Sequence, residues 1–364
     1  MPWPDRRLPH QPHVTRANTP GVTVTNTAPS TAESTARDVI RRSQRARRLE
    51  AGALPLAWLV VAVIFSILQP AAFLTWSNVA SMFASQTVLV VLTLALIVPL
   101  TTGDFDLSVG AVVGISAMTV AILNASMGLP IGLAILVALI VGLVIGLING
   151  ALIVLLGIES LIVTLGMSTV ITGVTLWVSE ARTITGVDQA LIDAVIRTRL
   201  LGIPIEFFYG LLLALVIWYV FEFTPIGQRM LIVGRNRDVA RLAGIRVGRV
   251  RWGALATSSL IAAFGGVLVV GTSGSAGPST GLDLLLPAFA AAFLGSTTVK
   301  PGRFNPWGTL IAAYFLVTGI TGLQLLGGQT FVQNLFYGGA LIVAVAFSQT
   351  FKLWRERARN RIRS

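Results

Sequence analysis

The fold class this sequence predicts is an all-α polytopic membrane protein of about ten transmembrane helices, with a candidate pair of structurally related halves and both termini cytoplasmic. Three observations predict it. Of the 364 residues, 54% are hydrophobic and only 12% are charged, and the mean hydropathy is +0.80, more apolar surface than a soluble domain needs. The charges are gathered in a few islands, and the apolar runs between them are long enough to cross a bilayer. When those runs are counted as spans, 24 of the 27 lysines and arginines fall on one side, the asymmetry that the positive-inside rule demands.

Residues 1–50 are rich in Pro, Thr, Ser, Ala and Arg without apolar periodicity, and read as a disordered basic cytoplasmic tail. Arg41, Arg42, Arg45, Arg47 and Arg48 precede the first apolar run, too late in the chain and with too many spans after them for a secretory signal. Spans are expected near 54–74, 80–101, 109–125, 130–155, 160–178, 207–223, 252–272, 284–297, 306–326 and 331–349. They make a transmembrane domain over 51–350, followed by a basic cytoplasmic tail at 351–364. The third and eighth spans are short and the eighth carries Pro287, so both are candidates for broken helices, which need protein or a water-filled cavity around the freed backbone groups.

An even number of spans puts both ends on one side. The N-terminal tail holds 9 basic residues, the loop 224–251 holds 7, Lys300 and Arg303 form another island, and the C-terminal tail holds 6. The opposite side has Arg182, Arg197 and Arg199, all in the loop 179–206. Topology therefore accounts for the net charge of +12, and the partner it implies is a lipid bilayer rather than nucleic acid.

There is no cysteine, which removes disulfides, thiolate metal sites and cysteine nucleophiles. Both histidines, His10 and His13, lie in the N-terminal tail, so the apolar body lacks the commonest general base and metal ligand. No catalytic constellation and no metal site is predicted. A P-loop ATPase needs a lysine that reaches the phosphates within G-x-x-x-x-G-K-[ST]; Lys300 is followed by Pro301 and Lys352 by Leu353, so this chain cannot be that ATPase. A proton-coupled carrier would carry ionisable groups deep in its spans. The candidates Asp104, Asp106, Glu159 and Asp283 all lie at expected span ends, which equips the chain poorly for ion coupling.

Gly142, Gly146 and Gly150 recur at a spacing of four along the fourth span, and Gly110 and Gly114 repeat that spacing. Small residues so placed let helix backbones approach closely, either within the bundle or at a dimer seam. The chain also matches itself. TGDFDLSVGA (102–111) lies on STGLDLLLPA (279–288), pairing Asp106 with Asp283, and LLGIESLIV (155–163) lies on LLGGQTFVQ (325–333), pairing Gly157 with Gly327. Related halves are common among transporters, with substrate sites near the interface between them.

Ionisable groups near hydrocarbon are expensive and mark a path, a partner or a switch. In TGDFDLSVGAV the arginine count puts Asp104 and Asp106 at the cytoplasmic end of the third span, where Asp106 is placed to cap the helix through backbone N–H groups. In the loop 224–251, Asn236 can cap a short helix, Asp238 suits its positive end and Gly244 suits the position past its C-terminus. Val239, Leu242 and Ala243 share one face of that helix. Two readings fit: the turn docks in a groove of a soluble partner, or its arginines only fix topology while it rests on lipid headgroups.

GDFDLSVGA, LINGALIVLLGIESLIVTLG, VGRNRDVARLAGIRVGRVR and LGSTTVKPGRFNPWGTLIAA, in that order, resemble the corresponding stretches of ribose-type permeases, the membrane subunits of bacterial sugar ABC importers. The resemblance covers roughly 54–350. It implies a sugar-translocating permease of the bacterial cytoplasmic (inner) membrane, two permease subunits per complex as a homodimer or heterodimer, a cytoplasmic ATPase pair and an extracytoplasmic solute-binding protein. ATP and magnesium would sit on the partner ATPase, with no cofactor on this chain. Asn236, Arg237, Asp238, Val239, Arg241, Leu242 and Gly244 match the family's ATPase-coupling segment. Asp104, Asp106, Ser108 and Asp283 become gating or structural candidates.

The chain departs from the family pattern at Asp104 and Phe105, where relatives usually carry a glycine followed by an apolar residue, and at VKPGRFNPWG, where many have a shorter glycine-rich stretch. Asn149, Thr164, Gln324, Gln329 and Asn334 are candidates for the translocation path, each equally suited to an interhelical hydrogen bond. A branched-chain amino-acid ABC permease shares the architecture, and an ion-coupled secondary carrier would work without an ATPase.

Overall fold

The computed structural model describes residues 51–329, 331–343 and 345–346; the expectations for the tails at 1–50 and 351–364 lie outside them. The apolar runs form α1 (Ala51–Leu68), a turn α2 (Pro70–Phe73), α3 (Trp76–Ser85) and α4 (Thr87–Thr102). After the TGDFDLS turn come α5 (Val109–Ala121), closed by a π turn over Ile122–Ser126, then α6 (Ile131–Leu155) and α7 (Ser160–Val178). The long loop holds strand β1 (Ile184–Thr185), α8 (Gln189–Ile192) and a small hairpin of β2 (Arg199–Leu200) and β3 (Ile203–Pro204). α9 (Ile205–Phe223), α10 (Pro225–Arg235), α11 (Arg237–Leu242) and α12 (Val247–Ser273) follow, then β4 (Ser275–Ala276), α13 (Leu285–Gly295), α14 (Pro306–Leu325) and α15 (Phe331–Val343). β1 and β4 pair antiparallel, Ile184 opposite Ala276.

Eight of the described helices are long and apolar enough to cross a membrane, and shorter apolar helices occupy the eighth and tenth expected positions, Leu282–Gly295 and Phe331–Val343. The chain is a multi-pass, all-α membrane protein. The third span, expected at 109–125, lies at Val109–Ser126 and is not broken: the α-helix runs on into the π turn and is long enough to cross. The eighth is short, entered through a 3₁₀ turn at Leu282–Leu284. Pro287 does not break it: as the third residue of α13 it falls in the first turn, where no N–H has a helical partner to lose. The basic loop holds one helix more than expected, α10, started by Thr224, whose hydroxyl accepts from Gly227 N–H, and by Pro225.

α4 is the central strut. All of its residues are buried, as expected of a helix that is hydrophobic all round. α6 shows how the bundle packs without a hydrophobic effect between its helices. Its buried positions include Ala134, Ala138, Gly142, Gly146 and Gly150, while Leu133, Leu136, Ile140 and Val144 point outward, so small residues face protein and large ones face lipid. The partner is α12. A Cβ on Gly146 would lie 2.8 Å from Ala256 Cα, and one on Gly142 would collide with Ala263. Gly150 makes room for Trp252, whose indole N–H donates to Leu147 O at 3.0 Å. The glycine seams are thus intramolecular, including that of Gly110 and Gly114, which abut the backbone of Gly281 and Thr280.

The internal match also has a backbone counterpart. Gly157 and Gly327, aligned in sequence, both take positive φ, 72° and 85°, and each lies in the turn between two helices, α6 and α7 or α14 and α15.

Gly146→Leu should destabilise the bundle by about 3 kcal/mol, since overpacking a backbone contact leaves the side chain no room. Gly166→Leu on α7, where an added Cβ meets nothing within 4 Å, should leave stability unchanged. Thermal unfolding of the purified chain in detergent measures both, and equal melting temperatures would contradict the seam.

Candidate functional site

α4 ends at Gly103, whose φ of +80° turns the chain as only glycine does without strain. The turn delivers Asp104, 1% exposed, to two guanidinium groups from distant segments. Arg251, on the first turns of α12, donates from Nε to Oδ2 at 2.8 Å and from Nη2 to Oδ1 at 2.6 Å, a bidentate fork. Arg237, the first residue of α11, donates from Nη2 to Oδ1 at 3.0 Å and to Gly103 O at 3.0 Å. The Thr102 hydroxyl adds a contact to Oδ2 at 3.3 Å. One carboxylate thus joins the end of α4, the start of α11 and the base of α12.

The rest of the motif is tied to the other side. Phe105 N–H donates to Ser160 Oγ at 3.1 Å and Leu107 N–H to Thr164 Oγ1 at 3.0 Å, both on α7. Asp106 Oδ1 accepts from the backbone N–H and hydroxyl of Ser108, at 3.1 and 2.6 Å. Asn149 on α6 donates to Ser108 Oγ at 2.9 Å. Asp106 therefore closes an Asx turn onto the residue before α5 and does not cap the helix proper. Burial pushes its carboxyl above the ordinary range, against the opposing pull of the Ser108 hydrogen bonds. The Ser258 hydroxyl on α12 also acts on this carboxylate, while Asn149 Oδ1 and the Ser259 hydroxyl are buried without a partner among the described residues.

α11 is capped at both ends as its residues require. Asn236 Oδ1 accepts from Asp238 and Val239 N–H at 2.9 and 3.0 Å. Gly244, φ +76°, closes the other end with Ile245 N–H donating to Ala240 O at 3.0 Å. Asp238 pairs with Arg241 at 3.3 Å on the exposed side. Ala240 packs inward with Val233 and Val247. Val239 and Leu242 are left 55% and 89% exposed, an apolar face that nothing in the chain covers among the described residues. α10 fixes the approach. A Cβ on Gly234 would fall onto Thr101 O, so α10 runs directly against the end of α4.

The structure brings together Asp104 with Arg237, and Asp106 with Ser108, Asn149 and Thr164, around one turn. Asn149 donates to Ser108 Oγ and Thr164 accepts from Leu107 N–H, so both reach the turn from α6 and α7. Gln324 and Gln329 lie elsewhere, around a small cavity of about 10 Å³ between α14 and α15, and Asn334 is exposed on α15. Asp283 is exposed in the 3₁₀ turn before α13. Sequence reasoning missed Arg251, whose only signal was its place among the arginines of the loop. It also missed Glu206, a carboxylate at the second residue of α9, buried with Oε2 unpartnered; a lone glutamate inside an apolar run was a readable signal.

Comparison with known proteins gives a consistent result. The profile of the family described as branched-chain amino acid transport system / permease component matches residues 77–345. The chain is 33% identical to the ribose import permease protein of Bacillus subtilis over 80% of its own length and 90% of that protein. It is 29% identical to the D-allose transport system permease protein of Escherichia coli, covering 80% and 89%. Identity is also 29% to an autoinducer 2 import system permease protein of Photorhabdus luminescens, covering 70% and 78%. No solved structure matches.

Asp104→Asn should cost about 3–5 kcal/mol, because it leaves the largely buried Arg251 without its counter-ion. Arg237→Gln should cost less, since Arg237 is 39% exposed and Arg251 only 15%. Melting temperatures of the purified variants rank the two, and a smaller loss for Asp104→Asn would show that the carboxylate does not hold the cluster.

Proposed function

The chain belongs to the branched-chain amino acid transport system / permease component family, and from that premise we propose that it is the membrane-spanning permease subunit of an ATP-driven ABC importer for a sugar or sugar-like solute. The observation that carries the solute class is the set of named relatives, import permeases for ribose, D-allose and autoinducer 2, matched over most of their length. The family's own description favours branched-chain amino acids as the second reading. The setting is the bacterial cytoplasmic membrane, and the chain works as a dimer or a heterodimer with a related permease. The partners are a cytoplasmic ATPase pair, which holds ATP and magnesium, and an extracytoplasmic binding protein that supplies most of the solute affinity.

In this reading α11 is the contact with the ATPase. Val239 and Leu242 form the docking face, Asn236 and Gly244 keep the helix formed, and Asp238 and Arg241 flank it. A movement of the docked partner is passed on because α11 does not hang free. Arg237 binds it to Asp104 and the end of α4, and Arg251 binds the same carboxylate to α12. From the turn, Ser160 and Thr164 carry the displacement into α7, and Ser108 and Asn149 into α6. Asp106 gates in the sense that it holds this turn in shape, and Asp283 is its counterpart in the second half. Asn149 and Thr164 beside the turn, and Gln324, Gln329 and Asn334 near the α14–α15 turn, remain candidates for the translocation path. Alternating access requires that ATP and loaded binding protein each favour one arrangement of these helices.

Reconstitution with the cognate ATPase and binding protein, offered a panel of pentoses, hexoses, polyols and branched-chain amino acids, tests the reading. Uptake should require ATP and both partners and should select a sugar. Uptake by this chain alone would overturn it, and selection of an amino acid would establish the second reading. Arg241→Glu combined with Leu242→Asp should leave the chain inserted while lowering ATP-driven uptake at least about tenfold, as loss of an interface anchor does. Unchanged uptake would remove α11 from the mechanism.

A further inference from the structure

A groove of about 550 Å³ lies between α4, α9, α10 and α12. Its walls are apolar: Val98 from α4, Ile217 and Phe221 from α9, Met230 from α10, and Ala254 and Ile261 from α12. At its cytoplasmic end stand two arginines, Arg229 on α10 and Arg249 on α12. Both are exposed, and neither guanidinium group has a hydrogen bond or ion pair among the described residues. The neighbouring carboxylates are already engaged: Glu222 takes Lys300 at 2.5 Å and Arg303 at 3.8 Å, and Asp104 takes Arg237 and Arg251. The mouth of an apolar groove therefore carries two uncompensated guanidinium groups on the arginine-rich side of a membrane-spanning bundle.

We propose that this groove binds an anionic phospholipid of the cytoplasmic leaflet, with an acyl chain along α9 and α12 and the phosphate held between Arg229 and Arg249. The charge sets the choice. Guanidinium groups match phosphate geometrically, and basic pockets between helices on the cytoplasmic side are the form such lipid sites take. A second copy of the chain fits the same groove badly. A two-fold interface presents the same patch from both subunits and would gather four arginines at one seam. The lipid would also have a mechanical consequence, because α10 carries Arg229 and runs into α11 through Asn236, so an occupied groove braces that approach against α9 and α12.

The test is native mass spectrometry of the full chain, delipidated in detergent and titrated with phosphatidylglycerol or phosphatidylcholine. The wild type should retain one phosphatidylglycerol per chain at least tenfold better than phosphatidylcholine. Arg229→Gln with Arg249→Gln should abolish that preference. Gly253→Leu offers an independent variant: Gly253 lines the groove and an added Cβ there meets nothing within 4 Å, so the side chain fills the groove without disturbing the bundle, and the retained lipid should be lost with both arginines in place. Equal retention of the two lipids by the wild type, or unaltered phosphatidylglycerol retention in both variants, overturns the proposal. So does efficient disulfide formation between two copies carrying Thr257→Cys in this cysteine-free chain, since a second chain would then occupy the groove.

Discussion

The arrangement rests on one carboxylate shared by two guanidinium groups at the edge of the membrane domain. Burying a charge is expensive, and a buried pair recovers the cost only with good geometry and satisfied hydrogen-bonding atoms. Asp104 meets that condition: both oxygens accept from the Arg251 fork, and Oδ1 also accepts from Arg237. The second arginine leaves the cluster with a net positive charge, and the end of α4 offsets it. The last carbonyls of a helix carry the negative end of its dipole, and Arg237 donates directly to Gly103 O. The site depends on where α4 stops, which Gly103 decides.

That cluster matters because what it joins is stiff. Between helices in lipid there is little hydrophobic driving force, so close backbone approach and interhelical hydrogen bonds hold the bundle. α6 and α12 meet across glycine, alanine and serine along Gly142 and Gly146, and at Gly150 the one large side chain, Trp252, is pinned by its hydrogen bond to Leu147 O. Packed interfaces of this kind respond by moving between discrete arrangements rather than by yielding. In the proposed mechanism a displacement at α11 would reach α4 and α12 through charge, and α6 and α7 through hydrogen bonds, instead of dissipating in a loop.

The helices were legible because hydrocarbon thickness sets a minimum run of apolar residues; the eighth stood out for falling below it, whereas the third, also read as short, is long enough to cross. The cap at Asn236 and the stop at Gly244 were legible because capping is local chemistry. The weight given to the two aspartates was not. Asp106 drew attention because it belongs to the family pattern and repeats as Asp283, whereas Asp104 was read as a departure. What makes Asp104 central is its meeting with Arg251, 147 positions away, and no local pattern encodes that pairing. The same limit hid α10's contact with Thr101: Gly234 signals close approach to something, but not to what.

The two aligned segments show how one motif takes two tasks from a few substitutions. Asp106 can be fully buried because Ser108 supplies two donors. At the aligned position the second half has Leu285, which has no hydroxyl, so Asp283 has no partner of that kind and stays exposed, as an unsatisfied carboxylate must. At the position aligned with Asp104 stands Gly281, in the left-handed region at φ +88° and so close to Gly110 O that a Cβ would lie 2.5 Å from it. Where the first segment spends the position on a charged tie to the basic loop, the second spends it on backbone contact with the first. The anchor is therefore confined to the first segment, and the second is joined to it through the meeting of Gly281 with Gly110, where neither residue has a side chain to interpose.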